Sequence, residues 1–67
     1  MIKLGQTVDV TKVEWADKMW LIKCPECRKF TSKIYSVMAW KKGGDGWWTA
    51  AWDMSLKEAR AYIEGLR

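Results

Sequence analysis

The stretch KFTSKIYSVMAWK, residues 29–41, decides the fold because its side chains fall into two alternating sets. The even positions hold Phe30, Ser32, Ile34, Ser36, Met38 and Trp40, and the odd positions include three lysines and Tyr35. A period of two residues over this length predicts a β-strand with one buried face and one exposed face. We expect the even set to face the core and the odd set to face solvent.

A turn and a second strand follow directly. The sequence GGDG at residues 43–46 is rich in residues that tolerate a positive φ, and the aromatic segment from Trp47 to Trp52 suits a strand. Pairing Lys41 with Trp47 across this turn places Trp40 opposite Trp48. On this pairing Trp52 also faces the core, whereas Trp47 faces outward.

The segment before residue 29 predicts another short strand, from Lys18 to Cys24. Pairing Cys24 with Arg28 places Trp20 and Ile22 beside Ser32 and Phe30 on the core face. The outer face of this strand then carries Met19, Leu21 and Lys23. Further upstream, residues 1–17 predict either a strand with a bulge near Thr11 and Lys12 or two short pieces, followed by a turn at Ala16 and Asp17.

The C-terminal segment predicts an amphipathic helix. Ser55 and Glu58 have the S-x-x-E spacing of a capping box, in which the two side chains satisfy backbone N–H groups at a helix start. The apolar residues Leu56, Ala59, Ile63 and Leu66 then follow at helical spacing. The whole chain therefore predicts one α+β domain, residues 1–67: an antiparallel β-meander of three to four strands packed on one C-terminal α-helix.

The composition limits both the core and the function. A chain of 67 residues buries little surface, so we expect most of its six tryptophans to supply the core.

The longest apolar runs have four residues, far below the roughly 20 that span a bilayer, and two cysteines cannot build the disulfide framework of small secreted domains. These features predict a cytoplasmic protein with no membrane partner. The absence of histidine, of a phosphate-binding glycine loop and of a carboxylate cluster predicts that it is not an enzyme.

Cys24 and Cys27 have the C-x₂-C spacing of half a zinc site. Structural zinc takes four ligands, commonly all cysteine or cysteine with histidine, and the chain has no histidine and no other cysteine. Three interpretations remain: two thiols packed at a hairpin tip shaped by Pro25, a zinc ion shared between two chains, or a redox pair near Arg28 and Lys29. Apart from that shared zinc, the sequence predicts no cofactor.

Positive charge is concentrated in the centre of the chain, where residues 18–42 contain seven basic residues and one acidic residue. On the pairings above, one outer sheet face carries Lys23, Lys29, Lys33, Tyr35, Lys41 and Trp47. Lysines neutralise phosphates and exposed aromatic rings stack on bases, so this face is a candidate nucleic-acid or partner interface. The alternative is a solvated face whose lysines serve solubility.

The order of elements, together with the helix SLKEARAYIEGL at residues 55–66, resembles the arm-binding domains of tyrosine recombinases, the integrases of phages and transposons. The resemblance implies a sheet face that enters the DNA major groove, with Lys29, Lys33, Tyr35, Lys41 and Trp47 at the contact. The chain also resembles small accessory proteins of bacteriophages that disable host proteins. That resemblance implies a protein interface centred on Trp47, Met19, Leu21 and Tyr35.

The sequence thus predicts a non-enzymatic module, monomeric or dimeric, that binds nucleic acid through a basic, aromatic sheet face, with DNA preferred to RNA. A protein-interaction module, such as a phage-encoded inhibitor of a host protein, is the alternative.

The interpretations of Cys24 and Cys27 differ in metal content. For protein purified without chelator we expect a zinc content near zero by elemental analysis, because one chain lacks the four usual ligands. A ratio near one zinc per two chains would contradict this, since only a shared four-cysteine site has that stoichiometry.

Overall fold

The computed structural model describes residues 2–23 and 33–67. Within these ranges the chain forms four β-strands and one α-helix: β1 Val8–Asp9, β2 Ala16–Lys23, β3 Tyr35–Lys41, β4 Trp47–Met54 and α1 Leu56–Glu64. The strands form one antiparallel sheet in chain order, and α1 packs against β2, β3 and β4. The predicted α+β architecture, a meander with one C-terminal helix, is confirmed.

The core lies between α1 and one face of the sheet. Its fully buried side chains are short or aliphatic and come from β2, β3 and α1: Met19, Leu21, Val37, Ala39, Ala59 and Ile63. The N-terminal segment closes one side of this core with Ile2, Val8 and Val10, which are also buried. The small side chains of Ala39 and Ala59 allow the helix to approach the sheet closely.

The prediction of which sheet face is buried was wrong. From Lys18 onward in β2, and throughout β3, the odd residues face the helix, including Met19 and Leu21, and the even residues face away from it. The predicted tryptophan core was also wrong, because Trp52 is 65% exposed and Trp48 is 44% exposed. A nine-residue helix is only about 14 Å long and covers a narrow strip of sheet, which aliphatic side chains fill better than several indoles.

The strand registers differ from the predicted ones. Trp40 lies opposite Trp47, rather than Trp48, because the turn is tighter than predicted and the Lys41 N–H donates to the Gly46 carbonyl at 3.0 Å. Further from the turn, register shifts between Tyr35 and Met38 add residues to β4 relative to β3. Trp20 lies opposite Met38, rather than Ser32. Lys23 lies opposite Tyr35, which is not the register that a tight turn at residues 24–28 requires. The predicted turn itself lies outside the described residues.

The N-terminal segment contributes one two-residue strand and several tertiary hydrogen bonds. The predicted turn at Ala16 and Asp17 is instead the start of β2, with a register shift between Ala16 and Lys18. The Arg60 Nε–H donates to the Ile2 carbonyl at 2.8 Å. The Thr11 and Lys12 N–H groups both donate to the Leu66 carbonyl at 3.0 Å, which joins this segment to the end of the helix.

The predicted capping box at the start of α1 is confirmed. The Glu58 N–H donates to Ser55 Oγ at 3.1 Å, and the Ser55 N–H donates to Glu58 Oε1 at 3.2 Å. The hydrogen bond that the Ser55 backbone N–H donates to the Glu58 carboxylate, and then the Ser55 side chain, lower the pKa of Glu58 below its ordinary value of 4.5. The Lys33 ammonium, 3.8 Å from Glu58 Oε1, lowers that pKa further.

The ionised Glu58 side chain of the capping box should make the stability of the fold depend on pH. Because the pKa of Glu58 is lower in the folded chain than in the unfolded chain, its stabilisation is complete above pH 4.5 and is lost as the pH falls through the folded-state value. We expect Glu58→Gln to flatten the fall in stability below about pH 5, measured by thermal unfolding at several pH values. Asp45→Asn in the β3–β4 turn, which leaves the capping box intact, is the control. An unchanged pH profile in Glu58→Gln would contradict this role.

Two neighbouring residues test which face is buried. Leu21 is fully buried under the helix, so Leu21→Ala should reduce the free energy of unfolding by about 2–5 kcal/mol. Ile22 is half-buried on the opposite face, so Ile22→Ala should cost about 1 kcal/mol. Chemical denaturation of the two variants measures the difference. A larger loss for Ile22→Ala would contradict the observed face assignment.

Candidate nucleic-acid interface

The sheet surface opposite α1, called here the open face, carries a tryptophan-rich set of side chains. Residues that lie opposite each other on antiparallel strands project to the same face of the sheet. The strand register therefore shows which side chains lie side by side, in rows across the strands, on the open face. One row across β2, β3 and β4 consists of Lys18, Trp40 and Trp47, and the next consists of Trp20, Met38 and Thr49. The hydrogen bond from Thr49 Oγ1 to Met38 Sδ, 3.5 Å long, agrees with this arrangement.

Two of the three indoles of this face are exposed, and Trp20 is partly buried. Trp47 is 61% exposed and Trp40 is 36% exposed, whereas Met38 in the middle of the face is only 5% exposed. Neighbouring side chains of the same face, rather than a helix, therefore cover Met38. Contiguous apolar surface of this kind marks interaction sites in proteins.

A first cleft of about 450 Å³ opens at the β1–β2 side of the open face. Its walls are Gly5, Thr7, Asp17, Lys18, Trp20 and Trp40. The cleft combines two flat indole surfaces with a carboxylate, an ammonium group and a hydroxyl. This volume lies within the range of 300–1,000 Å³ that is usual for small-ligand sites.

Hydrogen bonds between distant segments hold the wall of the first cleft. Asp17 lies where β2 is shifted in register against β3, and its Oδ2 accepts a long hydrogen bond, 3.4 Å, from the Gly43 N–H. The Lys42 N–H donates to the Trp15 carbonyl at 3.3 Å. Gly43 has φ +67°, which glycine adopts without steric cost, so the β3–β4 turn can present both N–H groups to this segment.

A second cleft of about 400 Å³ lies where the β4 edge meets the turn, and is lined by Trp15, Lys41, Gly46, Trp47 and Trp48. The Trp15 and Trp48 ring centroids are 5.2 Å apart, with ring planes tilted by 59°. This is a favourable aromatic geometry that fixes both rings. Trp47 and Trp48 project to opposite faces of β4, so the cleft wraps around the edge of the sheet.

The two clefts flank the cross-strand pair of Trp40 and Trp47 and together involve five of the six tryptophans. Each cleft contains at least two indoles and one lysine, Lys18 in the first and Lys41 in the second. Such a surface can stack flat rings and attract anionic groups. In the described ranges, no cluster of three or more aspartate, glutamate or cysteine residues could hold a metal ion.

The residues predicted for the interface do not share one face. Trp47 and Lys41 line the second cleft, but Tyr35 is half-buried against the core on the helix side. Lys23 lies opposite Tyr35 and so belongs to the helix side, and Lys33 lies beside Glu58 of α1. The prediction of a single exposed basic face was therefore wrong. It assigned the odd-numbered residues of β3 to the exposed face, whereas these residues project to the side of the sheet that the helix covers. Lys29, Cys24 and Cys27 lie outside the described residues.

Of the residues that line the clefts, sequence reasoning identified only Lys41 and Trp47 and missed the others, among them Trp15, Asp17, Lys18, Trp20, Trp40 and Trp48. Three of these tryptophans were assigned to the core. The length of the predicted helix was an available signal, since a helix of about three turns cannot cover four indoles on one sheet face. Asp17 was missed because a bulge places it, and the bulge forms only through tertiary pairing.

Comparison of the chain with protein-family models, with curated proteins and with solved structures found no match. The resemblance to integrase arm-binding domains and to phage accessory proteins stays a prediction. No helix in the described parts of the chain has the length and hydrophobicity needed to cross a membrane.

Proposed function

We propose that this chain is a non-enzymatic module that binds single-stranded nucleic acid along its open face and around the edge of the sheet where the second cleft lies. The observation that carries the proposal is the pair of adjacent clefts, each combining exposed indoles with a lysine. Unpaired bases stack on the indoles, and the lysines contact the phosphates. Single strands are favoured over duplexes because base pairing and stacking hide the base faces that indoles contact.

The spacing of the rings supports this use of the sheet. Trp40 and Trp47 are directly opposed on β3 and β4, so their Cβ atoms are about 5 Å apart. Trp20 lies one row further along the sheet, about 7 Å away along the strand direction. Successive bases of a splayed single strand can stack on rings at such separations, as RNA-recognition modules with four-stranded sheets do with two or three bases.

The charge distribution supports an anionic ligand. Lys18 and Lys41 line the clefts, and Lys42 follows Lys41 in the β3–β4 turn. These are three of the seven basic residues that residues 18–42 contain. Phosphate binding by such lysines releases counterions and therefore weakens as the salt concentration rises.

Titration with single-stranded DNA and RNA and with duplex DNA at two salt concentrations tests the proposal. We expect salt-sensitive binding of single strands, with DNA preferred to RNA. Trp40→Ala and Trp47→Ala should each weaken binding by a factor of about 5 to 150, equivalent to the stacking of one base.

Lys18→Ala should reduce the slope of log affinity against log salt by about 0.7. Lys57→Ala, which removes one exposed lysine of α1, is the matched control and should leave that slope unchanged.

A protein-interaction module, such as a phage-encoded inhibitor of a host protein, is the second candidate. It is favoured by Trp52, which is 65% exposed and lines neither cleft, and by Asp9, which lies opposite Lys18 and offsets its charge. Tryptophan is enriched at the centres of protein interfaces. Failure to bind any oligonucleotide at low salt would exclude the first function and leave this one.

A further inference from the structure

We propose that the first cleft is a guanine subsite within the bound single strand, an inference that rests on the proposed function. Asp17 and Lys18 line this cleft together with Trp20 and Trp40. Neither charged group is needed for stacking. Together they provide hydrogen-bonding groups at the rim of a stacking site, which is how single-stranded bases are distinguished.

The Watson–Crick edge of guanine matches this pair of charges. It presents two neighbouring donors, N1–H and the N2 amino group, and one acceptor, O6. The two oxygens of the Asp17 carboxylate accept from the two donors, and the Lys18 ammonium donates to O6. Hydrogen bonds to ionised groups are about twice as strong as neutral ones, and a bidentate geometry adds specificity.

The other bases complement the pair less well. Adenine and cytosine each offer one amino donor on this edge, and thymine and uracil offer one N–H between two carbonyl acceptors. Each of them would leave a carboxylate oxygen of Asp17 unpaired or facing a base acceptor inside the cleft. Leaving a partly buried charged acceptor without its hydrogen bond is unfavourable, so these bases are discriminated against.

The fold fixes Asp17 for this role. Asp17 is half-buried at the bulge of β2, and the Gly43 N–H approaches its Oδ2 at 3.4 Å. This contact orients the carboxylate but uses only one of its roughly four acceptor positions. The cleft volume of about 450 Å³ leaves room for a purine between the indoles.

The test uses short thymidine strands of equal length that differ at one central nucleotide. That nucleotide is guanine, inosine, adenine, cytosine or thymine, and affinities are measured at one salt concentration by fluorescence anisotropy of labelled strands. We expect the guanine strand to bind roughly tenfold more tightly than the all-thymidine strand. Inosine, which lacks the N2 amino group, should bind with intermediate affinity.

Asp17→Asn should abolish the difference between the guanine and thymidine strands, because an amide offers one acceptor and adds a clashing donor. Asp45→Asn, which removes a carboxylate from the β3–β4 turn outside the cleft lining, should retain the difference. Lys18→Ala should weaken binding of the guanine and inosine strands by a similar factor, because both bases carry O6, and should leave the preference for guanine over inosine unchanged.

The outcomes separate this inference from the proposed function. If no strand binds, the proposed function fails. If all strands bind with equal affinity, the guanine subsite is overturned while nucleic-acid binding stands. A guanine preference that persists in Asp17→Asn would likewise overturn the assignment to this cleft. The inosine strand tests the hydrogen-bonding argument even if Asp17→Asn does not fold.

Discussion

The contact between α1 and the aliphatic strip of the sheet is the interaction on which the rest of the structure depends. Ala59 and Ile63 of the helix pack on Val37 and Ala39 of β3 and on the neighbouring side chains of β2, all fully buried. A helix of nine residues is not stable alone in water, so this contact and the capping box stabilise it together. Burial of this strip also decides which sheet face is left uncovered.

That uncovered face explains the distribution of tryptophan. Indoles bury the largest apolar area of any side chain, yet here several remain at the surface, including Trp47 and Trp52. The core does not need them, because short aliphatic side chains fill the narrow space under the helix. The exposed indoles therefore require another explanation, and a ligand with flat apolar rings provides one.

The candidate interface is assembled by contacts between segments distant in the chain. Asp17 and Trp15 are joined to the β3–β4 turn by hydrogen bonds from Gly43 and Lys42. These hydrogen bonds lie near both clefts, so they hold the tryptophan rings and the charged groups at fixed positions relative to one another. Such preorganisation lowers the ordering cost of binding a flexible single strand. Under the proposed function, stacking supplies affinity for any base, and the charged pair at the first cleft supplies the discrimination that we infer.

By itself, the sequence determined the class and order of the elements. Period-two alternation in residues 35–41, the glycine turn and the S-x-x-E pattern at Ser55 act over a few residues, so they predicted the strands, the hairpin and the start of the helix. Only the tertiary structure decided which face is buried. Both parities of β3 contain apolar residues, and the choice between them depends on the shape and length of the helix that covers one. The bulges that set the registers and place Asp17 are likewise products of strand pairing, so no local pattern could reveal the clefts.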